Sequence, residues 1–351
     1  MNELIASFQD TVLAAGRNAT PLSISGGGSK AFYGRQPQGT DFCVRDYAGV
    51  VDYSPTELVI TARAGTPLAE VEAVLAGENQ MLAFEPPHFG PGATLGGTIA
   101  CGLSGPRRPW VGAARDFVLG ISCLNGKGEH LRFGGQVMKN VAGYDVSRTL
   151  TGSLGTLAVL LDISLKVLPR PETDITLCRE STPAEAIRLM NAWAGQPLPL
   201  SAACYYDGQL ALRLSGTRRG VQAAVEKLGG ERMDPAESFW EDIREHRHAF
   251  FNGAQPLWRL SVAPATAPLA LEGDCLLDWG GAQRWIRTAL PATQVRAAAA
   301  AAGGHASRFR DTDRDAVFQP LPAALLALHQ RLKHSFDPAG ILNPGRMYAE
   351  L

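Results

Sequence analysis

Glycine is concentrated in three segments of this chain, and these segments constrain its fold more strongly than any other feature. The chain has 38 glycines among 351 residues, and they cluster at residues 26–34, 90–105 and 143–155. A backbone without side chains can adopt positive φ angles and approach a ligand closely. A compact fold normally keeps long connections of this kind only for function. We therefore expect a binding site built from loops.

The first segment reads "SISGGGSK" from Ser23 to Lys30. Successive backbone N–H groups in such a loop can turn inward and bind an anion such as a pyrophosphate. The segment is not a P-loop, because the G-K-[ST] ending is absent, and it is not a Rossmann fingerprint, because G-x-G-x-x-G is absent. A glycine-rich hairpin turn is the alternative interpretation.

The second segment, "EPPHFGPGATLGGTIACGLSGP" at residues 85–106, carries almost only small side chains from Gly90 to Gly105. A stretch with so little bulk cannot fill a hydrophobic core, so we expect a flat ring system to occupy the space. The third segment, at residues 139–160, runs from polar residues through a glycine-flanked turn into a strand. Taken alone, it is typical of an ordinary loop–strand junction.

The first half of the chain is predicted to mix helices and strands. Short β-branched runs predict strands at residues 57–65, 116–125 and 156–168. Apolar residues at helical spacing predict a helix at residues 66–80. The proline-bounded sequence "LPRPE" at residues 168–172 predicts a domain boundary.

The second half is predicted to form a small antiparallel sheet with helices on one face, built from two strand–helix–strand halves. An amphipathic helix, stopped by Pro338, and an extended tail follow it. The predicted fold class is therefore α+β. We expect three parts, at residues 1–170, 171–320 and 321–351.

Composition and charge exclude several classes of function. Thirty-three Lys and Arg nearly balance 34 Asp and Glu, so the chain has no field that would attract nucleic acid. Its six cysteines include no C-x-x-C pair, and its histidine pairs lack i,i+4 spacing, so we expect neither a metal site nor an iron–sulfur cluster. The first residues lack a signal peptide's basic region, and no apolar run reaches membrane-spanning length, so we expect a cytoplasmic protein.

The chain resembles the FAD-binding oxidoreductases of the vanillyl-alcohol oxidase (PCMH-type) family in five motifs, which occur in the family's order. These are "SGGGS", "PGATLGGTIACGLSG", "RDFVLGISCLNGKGE", "GYDVSRTLTGSLGTLAVLLDISLKVLP" and "FDPAGILNPGRMY". Within the family it resembles the FAD-binding subunits of bacterial glycolate oxidases, also called glycolate dehydrogenases. The resemblance implies a PCMH-type FAD-binding domain of two α/β subdomains, a smaller ferredoxin-like (split βαβ) cap domain and a tail that returns to the FAD domain.

The resemblance also implies FAD as the cofactor. The implied cofactor-binding residues are Ser25, Gly26, Gly27, Gly28, Ser29, Lys30, Pro91, Gly92, Ala93, Thr94, Gly96, Gly97, Thr98, Cys101, Gly102, Ser104, Gly105, Gly152, Ser153, Gly155, Thr156, Val159 and Asn343. Members with covalent flavin often carry a histidine in or beside the first glycine loop. Ser29 and Lys30 stand there in this chain, so we expect non-covalent FAD and a small buried thiol at Cys101.

The sequence offers fewer candidate residues for catalysis than for cofactor binding. Oxidation of a 2-hydroxy acid needs a cationic group for the carboxylate and a base for the hydroxyl proton. Larger relatives carry a "HGDGN"-like stretch in the second domain, whereas this chain has "AAGGHASRFR", with one histidine and no adjacent acid. The remaining candidates are His305, Arg308 and Tyr144. This departure predicts little substrate oxidation by the isolated chain.

The sequence "SGPRRPW" places Arg107 and Arg108 directly after the second glycine segment, beside Trp110. These arginines could hold a substrate carboxylate, stabilise a reduced flavin or meet an acidic partner surface. A solvated loop tip is the alternative interpretation.

The resemblance implies that the chain is the FAD-binding subunit of a complex that oxidises glycolate to glyoxylate. The implied partners are a second flavoprotein subunit with the fuller catalytic site and an iron–sulfur subunit that passes electrons toward membrane quinone. Any contact with the inner membrane would then be through these partners. Two alternatives stay open: a self-sufficient FAD-dependent 2-hydroxy acid dehydrogenase with His305 or Tyr144 as base, and a scaffold subunit without redox activity.

Overall fold

The structure, a computed structural model, describes residues 2–135 and 145–351. Its helices are α1 (Asn2–Asn18), α2 (Leu68–Gly77), α3 (Leu95–Cys101), α4 (Arg108–Val111), α5 (Ala114–Phe117), α6 (Val146–Leu150), α7 (Pro183–Ala194), α8 (Arg218–Leu228), α9 (Ala236–Glu245), α10 (Ala292–Ala301) and α11 (Ala323–Phe336). Its strands are β1 (Leu22–Ser25), β2 (Thr40–Cys43), β3 (Val50–Ser54), β4 (Val59–Arg63), β5 (Gln80–Met81), β6 (Val118–Asn125), β7 (His130–Gly134), β8 (Ala158–Lys166), β9 (Leu168–Pro169), β10 (Thr173–Glu180), β11 (Leu200–Tyr206), β12 (Gln209–Gly216), β13 (Glu231–Arg232), β14 (Leu257–Ser261), β15 (Asp274–Asp278), β16 (Gln283–Arg287) and β17 (His305–Arg310).

The first half of the chain is built on a five-stranded antiparallel sheet of order β3-β4-β8-β6-β7, beside the parallel pair β1-β2. Strands β6 and β8 are rich in Val, Ile and Leu and are buried over most of their length. Helix α2 packs on the core of this sheet through Leu68, Val71 and Leu75, which have the i, i+3 and i+7 spacing of one helix face. Each such side chain contributes about 1.5–3 kcal/mol by leaving water.

The second half forms an eight-stranded antiparallel sheet of order β13-β10-β12-β11-β15-β16-β14-β17. Strand alternation divides its side chains between two faces. Leu210 and Leu212 pack with residues of α7 and α8, whereas Ala211 packs on the other side with Trp240 of α9. The antiparallel sheet is present as predicted, but helices lie on both of its faces rather than on one.

The face that carries Ala211 also meets the first half of the chain. Its hydrophobic core joins Tyr33, Leu103 and Leu154 to Trp285 and Phe309 of the large sheet. Residues far apart in sequence therefore meet at the junction of the two halves.

The last part of the chain returns to the first half. Phe336 of α11 packs against the core of the five-stranded sheet, and Leu342 bridges in parallel to Leu22 of β1. The mixture of helices and antiparallel sheets, with a tail that returns to the first half, matches the predicted α+β fold class. The strands of the large sheet lie between Thr173 and Arg310, and the divisions at residues 170 and 320 stay a prediction.

Within the described residues, no helix is both long and apolar enough to cross a membrane.

Candidate functional site

The first glycine segment lines a cavity of about 120 Å³, which we call the glycine cavity. It lies where the end of β1, the start of α3, the turn at Leu154 and the returning tail meet. Of the predicted cofactor-binding residues, the structure brings together on its wall Ser25, Gly26, Gly27, Gly28, Ser29, Lys30, Thr94, Gly97, Cys101 and Asn343. Four separate parts of the sequence thus build one site.

Glycine is needed in the first segment for two different reasons. A Cβ on Gly27 would lie 1.3 Å from the carbonyl oxygen of Gly92, and a Cβ on Gly26 would lie 2.5 Å from Oγ1 of Thr94. Gly27 therefore lets the backbones of the first and second segments touch, and Gly26 leaves room for the side chain of Thr94. Gly28 instead has a φ of +76° and faces open space, so it supplies a conformation that other residues rarely adopt.

The backbone donors of this loop are available to a ligand. The N–H groups of residues 26–30 donate to no acceptor within residues 2–135 and 145–351. Partly buried N–H groups usually find a partner, and a row of free ones beside a cavity forms an anion nest. The residues present therefore fit the pyrophosphate of a dinucleotide cofactor.

Burial shifts the pKa values of two titratable side chains of the glycine cavity, each in the direction of its neutral form. Burial raises the pKa of the Cys101 thiol, although Lys30 and Arg346 oppose the shift. Burial lowers the pKa of Lys30, and its Nζ donates to the carbonyl oxygen of His88 at 3.3 Å. A protonated buried thiol is a poor nucleophile. This arrangement agrees with Cys101 as a packing residue.

Asn343 joins the tail to the glycine cavity through both ends of its amide. Its Oδ1 accepts from the N–H of Ile24 at 2.6 Å, and its Nδ2 donates to the carbonyl oxygen of Leu154 at 2.7 Å. Gly155 lies directly beside this amide, because a Cβ there would be 2.7 Å from Nδ2. The tail residue therefore closes the cavity as a structural tie.

Several predicted residues of the second segment lie beside the glycine cavity without lining it, namely Pro91, Gly92, Ala93, Gly96 and Thr98. Gly96 lets α3 approach the neighbouring backbone, since a Cβ there would lie 2.6 Å from the Cβ of Ala64. Thr98 is fully buried, and its Oγ1 has no hydrogen-bond partner among the described residues. These residues position α3.

The predicted residues that precede and form β8 serve mainly local structure. Gly102 and Gly152 touch, because a Cβ on Gly102 would lie 3.0 Å from the Cα of Gly152. The Oγ1 of Thr156 donates to the carbonyl oxygen of Ser153 at 2.7 Å and closes a turn. Val159 is fully buried inside β8, where it pairs with β6.

A second, smaller cavity of about 20 Å³ lies between the first half of the chain and the large sheet, and we call it the junction cavity. The predicted residues Ser104 and Gly105 line this cavity and not the glycine cavity. They are fixed by backbone contacts: Ser104 Oγ accepts from the N–H of Ala114, and the Gly105 N–H donates to the carbonyl oxygen of Phe84.

His246 lines the junction cavity, although no sequence motif marks it as a site residue. It ends α9 in the left-handed conformation, with a φ of +56°, and its ring stacks on Phe251 with centroids 3.9 Å apart. Burial lowers its pKa well below the usual range, and Arg310, Arg259 and nearby Arg287 add to the shift. The imidazole is therefore neutral, and its buried Nδ1 has no hydrogen-bond partner among the described residues.

Asp278 also lines the junction cavity. Burial raises its pKa to about 7, although the backbone N–H of Trp279 and the side chain of Gln283 both donate to the carboxylate. This carboxyl group therefore changes charge near neutral pH.

The three catalytic candidates of the sequence do not meet at either cavity. His305 is exposed at the start of β17, and it lines neither the glycine cavity nor the junction cavity. Arg308 forms salt bridges with Asp311 at 3.3 Å and with Asp313. Tyr144 lies outside the described residues.

The arginines of "SGPRRPW" are not a solvated loop tip. Arg107 is buried, and its Nε pairs with Glu85 at 3.2 Å. The guanidinium of Arg108 lies 4.3 Å from the ring centroid of Trp279. Arg107 also lies 3.6 Å from Asp174 of β10, so both side chains join the first half of the chain to elements of the second.

Two family models match the chain, one for an FAD binding domain at residues 4–134 and one for the C-terminal domain of FAD linked oxidases at residues 314–347. The chain is 53% identical over 333 residues to the glycolate oxidase subunit GlcE of Escherichia coli (strain K12), covering 95% of this chain and 94% of that protein. It is 33% identical over 129 residues to the glycolate oxidase subunit GlcD of Bacillus subtilis (strain 168), covering 36% of this chain and 27% of that protein.

An alkyldihydroxyacetonephosphate synthase structure superposes with a TM-score of 0.66 at 14% identity, covering 96% of this chain and 74% of that chain, and so shares the fold. The family expected from the five motifs is confirmed, as is FAD as its cofactor. The motifs, the glycine cavity and the match along nearly the whole sequence lead to one conclusion: the chain belongs to the family of FAD-binding oxidoreductases that contains the glycolate oxidase subunit GlcE.

Proposed function

We propose that this chain is the FAD-binding subunit of a multi-subunit glycolate oxidase and that it binds FAD non-covalently in the glycine cavity. The observation that carries the proposal is the 53% identity to the GlcE subunit over 95% of the chain. The open N–H groups of residues 26–30 support it, since they suit the cofactor's pyrophosphate. When bound, FAD supplies the electron acceptor for substrate oxidation.

The protein's own residues have binding and positioning roles in this proposal. The loop at residues 26–30 would bind the pyrophosphate, and Gly97 and Cys101 of α3, which line the same cavity, would contact the cofactor. Asn343 holds the tail against the loop through its bond to Ile24. The protonated thiol of Cys101 supports non-covalent binding, because forming a thioether requires a reactive sulfur.

The complex is proposed to contain a second flavoprotein subunit, which resembles GlcD, and an iron–sulfur subunit that passes electrons toward membrane quinone. The GlcE and GlcD relatives are both named as subunits of a glycolate oxidase. The separated cysteines of this chain support a division of labour in which the clusters are on another chain. Contact with the inner membrane would be made by those partners.

An absorption spectrum of the purified chain, recorded without oxygen before and after glycolate is added, tests the proposal. We expect flavin absorption bands that persist with glycolate and bleach only when the partner subunits are added. Flavin should pass through an ultrafilter after denaturation. A chain that takes up no FAD would overturn the proposal, and bleaching by the isolated chain would favour the self-sufficient dehydrogenase.

A further inference from the structure

Arg346, in the returning tail, lies on the wall of the glycine cavity, although it is not among the predicted cofactor-binding residues. The residue is buried, with a relative exposure of 7%. Its guanidinium donates to three backbone carbonyl oxygens, those of Ala31, Tyr33 and Arg35. These carbonyls belong to the segment that directly follows the glycine loop. The tail therefore holds a fixed cation beside that loop.

This buried cation has no acidic partner. Arg346 forms no salt bridge within residues 2–135 and 145–351, and none of the described residues that line the glycine cavity is Asp or Glu. Burial lowers the pKa of Arg346 to about 10, and nearby Arg314 adds to the shift, so the group is still charged at neutral pH. A buried charge is costly unless it is paired, so this arrangement is typical of a site that receives an anion.

Part of the hydrogen-bonding capacity of this guanidinium is free for a ligand. Arginine has five N–H donors, and the three carbonyls use three of them. The Nε–H and one N–H of Nη1 have no acceptor in the part of the chain that the structure describes. Lys30, a second buried cation of the wall, donates to the carbonyl oxygen of His88. The wall thus presents two cations beside the open N–H groups of residues 26–30.

A neighbouring arginine shows which feature of Arg346 is special. Arg314 also supports the segment after the glycine loop, because its guanidinium donates to the carbonyl oxygens of Ala31, Gly34 and Arg35. Arg314 does not line the glycine cavity. The two arginines therefore share the support of the segment, whereas Arg346 alone of the two brings its charge to the cavity.

We propose that Arg346 is a cofactor-binding residue of this subunit and that its guanidinium is a counter-charge for the diphosphate group of FAD. The backbone N–H groups of the loop supply directed hydrogen bonds, and Arg346 and Lys30 supply the net positive charge that a neutral backbone lacks. A guanidinium suits this role because its planar donors match the geometry of phosphate oxygens. The inference rests on the proposed function, since it assigns a tail residue to the same cavity.

Titration of the purified full chain, stripped of flavin, with FAD tests this assignment through the change in flavin fluorescence. We expect the dissociation constant to rise about tenfold to a hundredfold in Arg346→Met, because this change removes one charged hydrogen-bonding group. Arg314→Met is the matched control, since it removes support of the same segment away from the cavity wall. Its dissociation constant should stay near the wild-type value.

Arg346→Lys separates the charge from the support. Lysine keeps the positive charge but replaces the planar guanidinium with a single ammonium group. The FAD affinity of this variant should lie between those of the wild type and Arg346→Met. Equal weakening in the lysine and methionine variants would assign the effect to the hydrogen bonds with the segment and would contradict a counter-charge. Circular dichroism checks that each variant is folded.

Inorganic pyrophosphate is a second probe, because it carries the diphosphate without the ring systems. It should raise the apparent dissociation constant for FAD more than chloride at equal ionic strength does, and this difference should shrink in Arg346→Met. Equal competition by the two salts with the wild-type chain would indicate an effect of ionic strength only and would count against the site.

Two further outcomes distinguish this inference from the proposed function. Wild-type FAD affinity in Arg346→Met, or equal weakening in Arg346→Met and Arg314→Met, would overturn the role of Arg346 and leave the FAD site in place. A wild-type chain that takes up no FAD would overturn both.

Discussion

Single residues decide whether the glycine cavity exists. Gly26 and Gly27 are packing positions, whereas Gly28 is a conformational position. These three adjacent glycines therefore differ in the substitutions that they tolerate. The difference is visible in the structure and not in the sequence.

Gly27→Ala should abolish FAD binding and lower the free energy of unfolding by about 1–3 kcal/mol or more, because its Cβ would overlap the carbonyl oxygen of Gly92. Absorption of the purified protein and urea denaturation measure the two effects. Gly77→Ala at the end of α2 is the control, since a Cβ there meets no atom within 4 Å. Full FAD occupancy in Gly27→Ala would contradict the placement of the FAD site in the glycine cavity.

Asp278 should make stability depend on pH. Burial raises its pKa to about 7 in the folded chain, above the usual value of 3.8, so the folded state holds this proton more tightly than the unfolded state. Its contribution is largest at low pH and is lost as pH rises from about 4 to about 7.

In Asp278→Asn this part of the pH dependence should disappear, and the variant should be more stable than the wild type above pH 7. Chemical denaturation across this pH range provides the measurement. Asp10→Asn, at an exposed position of α1, is the control. If the free energy of unfolding changed with pH in the same way in the wild type and in Asp278→Asn, the raised pKa of Asp278 would be contradicted.

The sequence predicted the glycine cavity better than the junction cavity, for a physical reason. Residues 25–30 are contiguous, and their glycines signal a free backbone directly. His246 became apparent only in the structure, because its cavity is assembled from residues of α9, β14, β16 and the second glycine segment. The test for i,i+4 histidine pairs assumes that His246 and His248 lie on one continuous helix. In the structure His246 is the residue at which α9 ends, and His248 lies beyond the helix.

At the scale of elements, hydrophobic runs were a sufficient signal where strands are buried. The predicted strands at residues 57–65, 116–125 and 156–168 correspond to β4, β6 and β8. Strand β17 gave no such signal, because its sequence "HASRFR" is rich in charge. Its arginines are accommodated by the rings of Trp258, Phe32 and Phe89, which a local pattern does not show.

Helix α11 is tied to the tail by a buried ion pair. Nζ of Lys333 contacts Oδ2 of Asp337 at 2.6 Å, and the same carboxylate accepts from the N–H groups of Ile341 and Leu342. Burial lowers the pKa of Lys333, and Asp337 opposes this shift. The pair therefore orients the tail that carries Asn343.

Asp337→Asn should lower the free energy of unfolding by about 3–5 kcal/mol, because it leaves a buried ammonium group without its counter-charge. It should also weaken FAD binding, since the tail closes the glycine cavity. Urea denaturation and FAD titration measure these effects. Ser335→Ala at an exposed position of the same helix should change neither, and an unaltered Asp337→Asn would exclude the pair as an anchor.

At the scale of the whole molecule, the two halves are joined by buried charges as well as by apolar packing. Glu85 from the second glycine segment pairs with Arg107 and, at 2.7 Å, with Arg213 of the large sheet. Burial would raise the pKa of Glu85, but Arg213 and Arg107 hold it below its usual range. A polar crevice of about 560 Å³ runs beside this network between the halves.

Glu85→Gln should lower the free energy of unfolding by about 3–5 kcal/mol and speed proteolysis between the halves, because two buried guanidinium groups lose their shared anion. Denaturation and timed trypsin digestion test this. Glu78→Gln, an exposed position of the same half, is the control. Wild-type behaviour of Glu85→Gln would show that apolar contacts alone hold the halves together.

The bond from the Ile24 N–H to the Asn343 amide joins residues 319 positions apart. During synthesis, the glycine loop therefore leaves the ribosome long before the residue that closes its cavity has been translated. The cavity at this loop therefore stays incomplete until the large sheet and the tail have also been translated. Cofactor loading is thus expected to follow release from the ribosome, and a message truncated before codon 343 would yield a chain that folds in part but stays colourless.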